Sequence, residues 1–416
     1  MTNQASIESV KVAGESSADP GGLRLQRRRF MRNALSLAAL GLVSGSALPG
    51  RLLAQSPSPA GVGLAGLFAR DFQLGTALSN TTLLGQNPDL EALVAREFSA
   101  ITAENAMKWE EVHPQANTWD WQRADHFVDF GQKHKMYTIG HTLVWHSQMP
   151  ESVFVDDHGG LRPTAEVKKT MERHIDTLAG RYRGRIQAWD VVNEAVTDDG
   201  QWRQSHWYKS LGEDYFPRAF HLAREVDPQA ELLYNDYNMT TPEKRDFALA
   251  QIARFRRRGM PIHGVGMQAH VHLSEPEIAR LEASIETIAA AGLDVHITEL
   301  DVDVLPQAYD YMGAEISTNF EYSEELNPFA EGLPQHVVDA LAARYESLFR
   351  LFLKHKDKVR RVSLWGTTDA ESWKNDWPVV GRTNYPLIFD REGKPKKAYH
   401  AIAGLKAPAA GVRTSS

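Results

Sequence analysis

Two carboxylates sit where paired acids could break a glycosidic bond. Glu194 lies in the run WDVVNEA and Glu299 in ITELD. One acid can protonate a leaving oxygen while the other attacks the carbon it leaves. The two roles need different protonation states. Mutual repulsion and burial among indoles raise carboxyl pKa values, whereas hydrogen bonds to an ionised form lower them. His270 can hydrogen-bond Glu299, and Asp301 can hold that histidine. Glu299 is therefore expected to stay ionised and Glu194 to carry the proton. Asn193 can fix a substrate 2-hydroxyl beside the reacting centre.

Other polar and aromatic residues recur at similar places. Apolar runs end in Glu104-Asn105 with Lys108 just beyond, in His141 followed by Trp145-His146, and in Asn235-Asp236-Tyr237. Gln268 and His270 close another, and Trp365 closes the last. Of ten tryptophans, only Trp189 falls inside an apolar run; Trp109, Trp119, Trp121, Trp145, Trp202, Trp207, Trp365, Trp373 and Trp377 lie at or after run ends. This predicts a ring of indoles around one mouth, suited to stacking on sugar faces while amides and carboxylates bind hydroxyls. Trp189 reads as core.

The elements that must position these groups are strands and helices in alternation. Candidate strands are 72–78, 98–104, 136–143, 186–192, 230–236, 263–270, 293–299 and 361–366. Most are near-continuous apolar runs, as in parallel strands covered on both faces. Helical patterns lie between them: 164–182 with Thr164 as N-cap, 242–258 with Thr241 as cap and Pro242 in the first turn, 276–291 closed by Gly292, and 334–356. Eight such units predict an α/β fold, a (β/α)8 TIM barrel in a single catalytic domain over 64–406, with active groups at the strands' C-terminal ends. Residues 407–416 read as a disordered tail.

The 416-residue chain is 42% hydrophobic and 24% charged, a globular balance, and it has no cysteine. Disulfides, thiol nucleophiles and thiolate metal sites are excluded. Net charge is −7; residues 1–54 hold seven Lys/Arg and three Asp/Glu, so the remainder carries −11. An acidic body argues against a nucleic-acid partner and suits a neutral ligand. The N-terminus has Arg27-Arg28-Arg29-Phe30-Met31-Arg32 before an apolar stretch from Ala34 to Ala47. At about 14 residues that stretch is short for a bilayer span. Residues 1–54 resemble a twin-arginine export signal with a polar N-region, and 55–63 read as a linker. The mature protein is expected in the periplasm or outside the cell, not in a membrane.

Five motifs in order, ENAMKWE, GHTLVWH, WDVVNEA, GVGMQAHVH and ITELDV, resemble glycoside hydrolase family 10, the retaining endo-1,4-β-xylanases. The resemblance runs from about Phe72 to about Lys406. It implies xylan or xylo-oligosaccharides as substrate, Glu194 as acid/base and Glu299 as nucleophile. It also implies sugar-binding roles for Glu104, Asn105, Lys108, His141, Trp145, Asn193, Gln268, His270, Trp365 and Trp373. Tyr237 is a further substrate-binding candidate and Asp301 a supporting residue. No metal or cofactor is expected, and the protein is expected to be a monomer. The stretch from Asp303 to Leu333 is longer than in many relatives and carries Tyr309, Tyr311, Phe320, Tyr322 and Phe329. Its aromatics suit a wall of the substrate groove or a self-packed cap.

Three rival readings remain. His270-Val271-His272 beside Asp301 could serve a metal-dependent barrel hydrolase, but that needs three or four supported ligands and leaves the tryptophans unexplained. A non-catalytic carbohydrate-binding protein would not need the Glu194/Glu299 pair. A β-1,4-glucanase or mixed-linkage glucanase on the same barrel differs only in how the site closes around the sugar's 5-position.

Overall fold

Among the described residues, nine parallel strands account for the apolar runs: β1 Gln73–Leu78, β2 Ala100–Ala103, β3 Tyr137–Val144, β4 Ala188–Asn193, β5 Glu231–Asp236, β6 Gly264–Met267, β7 His270–His272, β8 Asp294–Asp303 and β9 Val359–Leu364. The computed structural model describes residues 63–84, 87–307 and 320–406. The expected signal, residues 55–62 of the linker, the tail and residues 308–319 of the long loop lie outside them. Neighbouring strands pair in the order β6-β5-β4-β3-β2-β1-β9-β8, and β6 also pairs with β8, closing an eight-stranded barrel. β7 is the exception. The single strand expected over 263–270 stops at Met267, Ala269 turns with φ +61°, and the chain resumes as β7 beside the upper end of β8. β8 correspondingly runs to Asp303, beyond the expected end at 299.

Local chemistry sets the helices around this barrel. Helices α1 Leu64–Phe68, α2 Pro88–Glu97, α3 Gln122–Lys133, α4 Thr164–Arg181, α5 Tyr215–Val226, α6 Pro242–Arg256, α7 Ile278–Ala290, α8 Gln335–Lys354 and α9 Lys397–Gly404 alternate with the strands. At α2, Asn87 caps the Leu90 N–H at 3.1 Å and Pro88 fills the first turn, where no N–H is needed. Pro242 does the same in α6. Thr164 is not the N-cap of α4: Pro163 holds that position, with no side-chain capping bond. Gly292, at φ +70°, turns the chain out of α7 in a conformation costly for a side chain with a Cβ.

The core has two layers. Inside the barrel, Ala100, Ile139, Ala188 and Leu233 pack together beneath the site. Outside it, helix faces such as Val337, Leu341, Tyr345, Leu348 and Phe352 of α8 bury against the strands. Each large apolar side chain buried this way contributes about 1.5–3 kcal/mol. Trp189 is fully buried, as the sequence reading places it, and lies so close over Gly140 that a Cβ there would come within 2.2 Å of the indole. Asp71 ties the first unit to the last through Lys356 (2.7 Å) and Lys406 (2.6 Å). Burial pushes its carboxyl up, but these two ammonium groups outweigh that and lower its pKa.

Candidate active site

The barrel brings the two glutamates to one end through strands β4 and β8. Asn193 is the last residue of β4. Glu194 follows it with φ +57°, a conformation uncommon for a residue with a side chain and costing of order 1–3 kcal/mol. Two backbone bonds hold it there: its N–H donates to the Asn235 carbonyl at 2.9 Å, and its carbonyl accepts from Arg203 Nε at 2.8 Å. Glu194 Oε1 accepts from Gln268 Nε2 at 2.9 Å, and Oε2 accepts from the Trp145 indole N–H at 2.8 Å. Glu299 Oε1 accepts from Asn235 Nδ2 at 2.7 Å, and Oε2 lies 3.2 Å from His270 Nε2. Both glutamates are buried.

Amides link the pair. Asn193 Oδ1 accepts from Asn235 Nδ2 at 2.9 Å, and Asn235 Oδ1 accepts from the Thr298 hydroxyl at 2.6 Å. With its oxygen so engaged, Asn193 presents its NH2 group as a donor for a hydroxyl. His270 Nδ1 lies 3.0 Å from Asp301 Oδ2, which also accepts from the Trp373 indole at 2.9 Å. Lys374 sits 3.6 Å from both Asp301 and Asp303. His141 Nδ1 pairs with Asp190 at 2.9 Å, which leaves Nε2 for a ligand. Lys108 donates to Asn105 Oδ1 at 3.0 Å and stands 5.1 Å over the Trp145 ring.

The electrostatics follow from burial opposed by neighbours. Burial depresses the His270 imidazole, but Asp301 first and Glu299 second lift it to about 9, so it is an imidazolium at neutral pH. Burial raises Asp301, and Lys374 with His270 more than reverse that. Burial raises Glu104 to about 7 against the pull of Lys108, and lowers Lys108 against the carboxylates around it. Glu194 departs from the sequence expectation. Burial does push its carboxyl up, but His146, 4.0 Å from Oε2, the Gln268 and Trp145 donors and Arg203 together hold it below the ordinary value. Repulsion and burial can be inferred from a sequence, whereas four donors or cations converging on one carboxyl come from the fold.

The expected indole ring is also corrected. Trp145, Trp365 and Trp373 stand at the site: Trp145 on Glu194, Trp365 edge-on to His141 (5.3 Å between centroids) and to His270 (6.3 Å), and Trp373 on Asp301. Trp377 stacks on Trp373 at 4.9 Å. The others pack elsewhere. Trp109 and Trp119 stack with His113 and His174, Trp119 on Trp121, and Trp202 packs on Phe216 and Phe247. Trp207 is buried behind Trp145, donating to its carbonyl. Strand-following segments in a barrel fold back over helices as well as over the mouth, so position in the sequence did not separate the two groups.

Tyr237 sits half-buried beside this cluster, its hydroxyl accepting from Arg203 Nη2 at 2.9 Å. Asp190 and Arg203 are site residues absent from the sequence expectations, and Asn235 and His146, noted there only at the ends of apolar runs, gain definite contacts. Asn235 had a visible signal, since it ends an apolar run as Asn193 does. The metal-site rival loses its geometry: among the described residues, the group of His, Asp and Glu able to converge on one ion is Glu282, Glu286 and His355, and it does not include His270, His272 or Asp301. Among the described residues no helix is long and apolar enough to cross a membrane.

Comparison with known proteins gives consistent findings. The family model for glycosyl hydrolase family 10 matches residues 63–405. An endo-1,4-β-xylanase A from Xylanibacter ruminicola is 42% identical over 334 residues, covering 80% of this chain and 90% of that protein. A solved endoxylanase of the same family, retrieved from a sugarcane soil metagenome, is 53% identical with a TM-score of 0.80, covering 82% of this chain and all of that one. A further solved structure, a mutant in complex with xylotriose, is 35% identical with a TM-score of 0.73, covering 82% and 99%.

Proposed function

The chain belongs to glycosyl hydrolase family 10, and from that premise we propose that it is a retaining endo-1,4-β-xylanase acting on internal bonds of xylan. The observation that carries the reading is the pair Glu194 and Glu299, each positioned by its own donors and joined through Asn193, Asn235 and Gln268. In the first step Glu299 attacks the anomeric carbon while Glu194 gives its proton to the glycosidic oxygen, and the leaving chain departs. In the second, Glu194 takes a proton from water, the water oxygen attacks the same carbon, and the bond to Glu299 breaks. Lys108, Asn105, Glu104, His141 and Gln268 offer polar groups to sugar hydroxyls, and Trp365 and Trp373 offer apolar faces. The names of the relatives favour xylan over the glucan alternative.

The test is proton NMR of the first product from xylan, which should be the β-anomer; an initial α-anomer overturns the mechanism. Glu299→Ala should remove nearly all activity. Glu194→Ala should cripple xylan hydrolysis but spare the first step on aryl xylobiosides with good leaving groups, which need no proton. Equal losses on both substrates would overturn the roles.

We further propose export through the Arg27-Arg28 signal, with the enzyme working as a monomer on neutral glycan in the periplasm or outside the cell. The support is the basic-apolar N-terminal pattern and a chain without cysteine, which can fold before export without waiting for disulfides.

A further inference from the structure

A fully buried lysine beside the site has no part in the chemistry above. Lys244, in α6, has a completely buried side chain, yet its ammonium group meets three partners. Asp236 Oδ1 lies at 3.0 Å, Asp198 Oδ1 at 3.1 Å, and the Tyr237 ring centroid at 3.2 Å. Asp236 is itself fully buried and takes the Tyr234 hydroxyl on its other oxygen. Burying a charge costs several kcal/mol before its partners offset it. Asp236 offsets that cost at one contact, but stability alone gives no reason for the cation to reach Asp198 and the Tyr237 ring as well.

Position supplies one. The lysine reaches the loop after β4 through Asp198 and the loop after β5 through Tyr237. Asn238 Nδ2 joins the same two loops by donating to Asp198 Oδ2 at 3.3 Å. At 3.2 Å from the centroid the ammonium sits on the ring axis, so it fixes the plane of the ring and takes one face. Arg203 holds the hydroxyl end of that ring and, through Nε, the carbonyl of Glu194. Tyr237 is thereby tied to the residue that protonates the leaving oxygen, which places it on the leaving-group side.

We propose that Lys244 is a positioning residue that sets Tyr237 as the platform for the sugar of the leaving chain, an inference that rests on the xylanase reading above. Its effect should appear only when a sugar occupies that side. An aryl xylobioside places none there; xylohexaose does. Lys244→Met should raise KM for xylohexaose by about fivefold or more, with kcat/KM for the aryl substrate within about twofold of the parent. Lys244→Arg, which keeps the cation over the ring, should recover most of the loss. Asp198→Asn removes one clamp from a more exposed position and should raise the xylohexaose KM by about twofold, with no change on the aryl substrate. If Lys244→Met does not fold, this variant decides. Equal losses on both substrates, or no rescue by Lys244→Arg, would overturn the proposal. A parent enzyme inactive on both substrates would instead overturn the xylanase reading.

Discussion

Replacing Asp301 by Asn tests the charge relay behind Glu299 while keeping the shape of the site. In the parent, the His270 imidazole is lifted from 6.5 to about 9. That difference of about 2.5 units corresponds to about 3 kcal/mol. Asp301 contributes through both charge and hydrogen bond, and each outranks the contribution of Glu299. Because burial opposes the lift, the share of Asp301 exceeds half of the net. The substituted amide would keep an oxygen about 3 Å from Nδ1 and an acceptor for Trp373, and Lys374 would keep Asp303. The His270 pKa should therefore fall by at least about one unit, read by NMR titration of the imidazole nitrogens. The folded pKa of His270 lies above its unfolded value. Its contribution to stability is thus fully present below pH 6.5 and is lost as pH rises through about 9. The stability gap between parent and variant in urea unfolding should be widest near pH 6 and narrow by about 1 kcal/mol or more by pH 9.5. Near pH 9 at most about a tenth of the variant's imidazole keeps its proton beside Glu299, against about half in the parent, and kcat/KM on aryl xylobiosides should fall about fivefold or more. A parent His270 titrating near 6.5, or an Asp301→Asn variant within about 0.3 units of the parent, would refute the argument.

Three other outcomes are expected. Asp71→Asn should cost about 2 kcal/mol at neutral pH by unclamping Lys356 and Lys406; since the Asp71 pKa is lowered, the gap should close as pH falls through and below about 4, and a pH-independent gap would contradict it. Replacing Arg27 and Arg28 with Lys should leave folded enzyme in the cytoplasm, and unchanged levels outside it would exclude the twin-arginine route. Trimming the loop between β8 and α8 should alter product lengths from xylan with aryl-xylobioside turnover nearly intact, because Phe320 bonds to Pro378 and Asn327 to Thr383 in the segment that carries Trp373 and Trp377; a change in Tm alone would make the loop a packing element.

The barrel was legible because its strands are apolar on both faces and each is followed by an amphipathic helix. The expected strands differ from the observed ones mainly by a residue or two at their ends. The break between β6 and β7 was not legible: GVGMQAHVH has no proline or turn pair at the break, and only the left-handed turn at Ala269 marks it. The two glutamates were legible because their motifs combine strand and acid in one run. Arg203 was not, since it comes nine residues after Glu194 and reaches back to its backbone carbonyl across a loop closed by Thr197 and Gln201. Lys244 lies on a helix whose pattern shows no charge demand. Contacts made by loop closure carry no period, and period is what a sequence displays.

The state of Glu194 bears on how the proposed mechanism starts. Both of its oxygens are occupied by donors, and its pKa is lowered. A general acid must instead keep a proton and turn it toward the glycosidic oxygen. Substrate reverses the balance in two ways. A sugar in the cleft displaces water and deepens the burial that already pushes the carboxyl up, and hydroxyls drawn to Gln268 compete for the NH2 group that now serves Glu194. Once Glu299 is bonded to the sugar its charge is gone, and the loss of a negative charge from the site favours an ionised Glu194. The donors that lower its pKa then favour the carboxylate needed to accept a proton from water. The donor set around Glu194 thus serves the second step, while bound substrate lets Glu194 hold the proton it needs for the first.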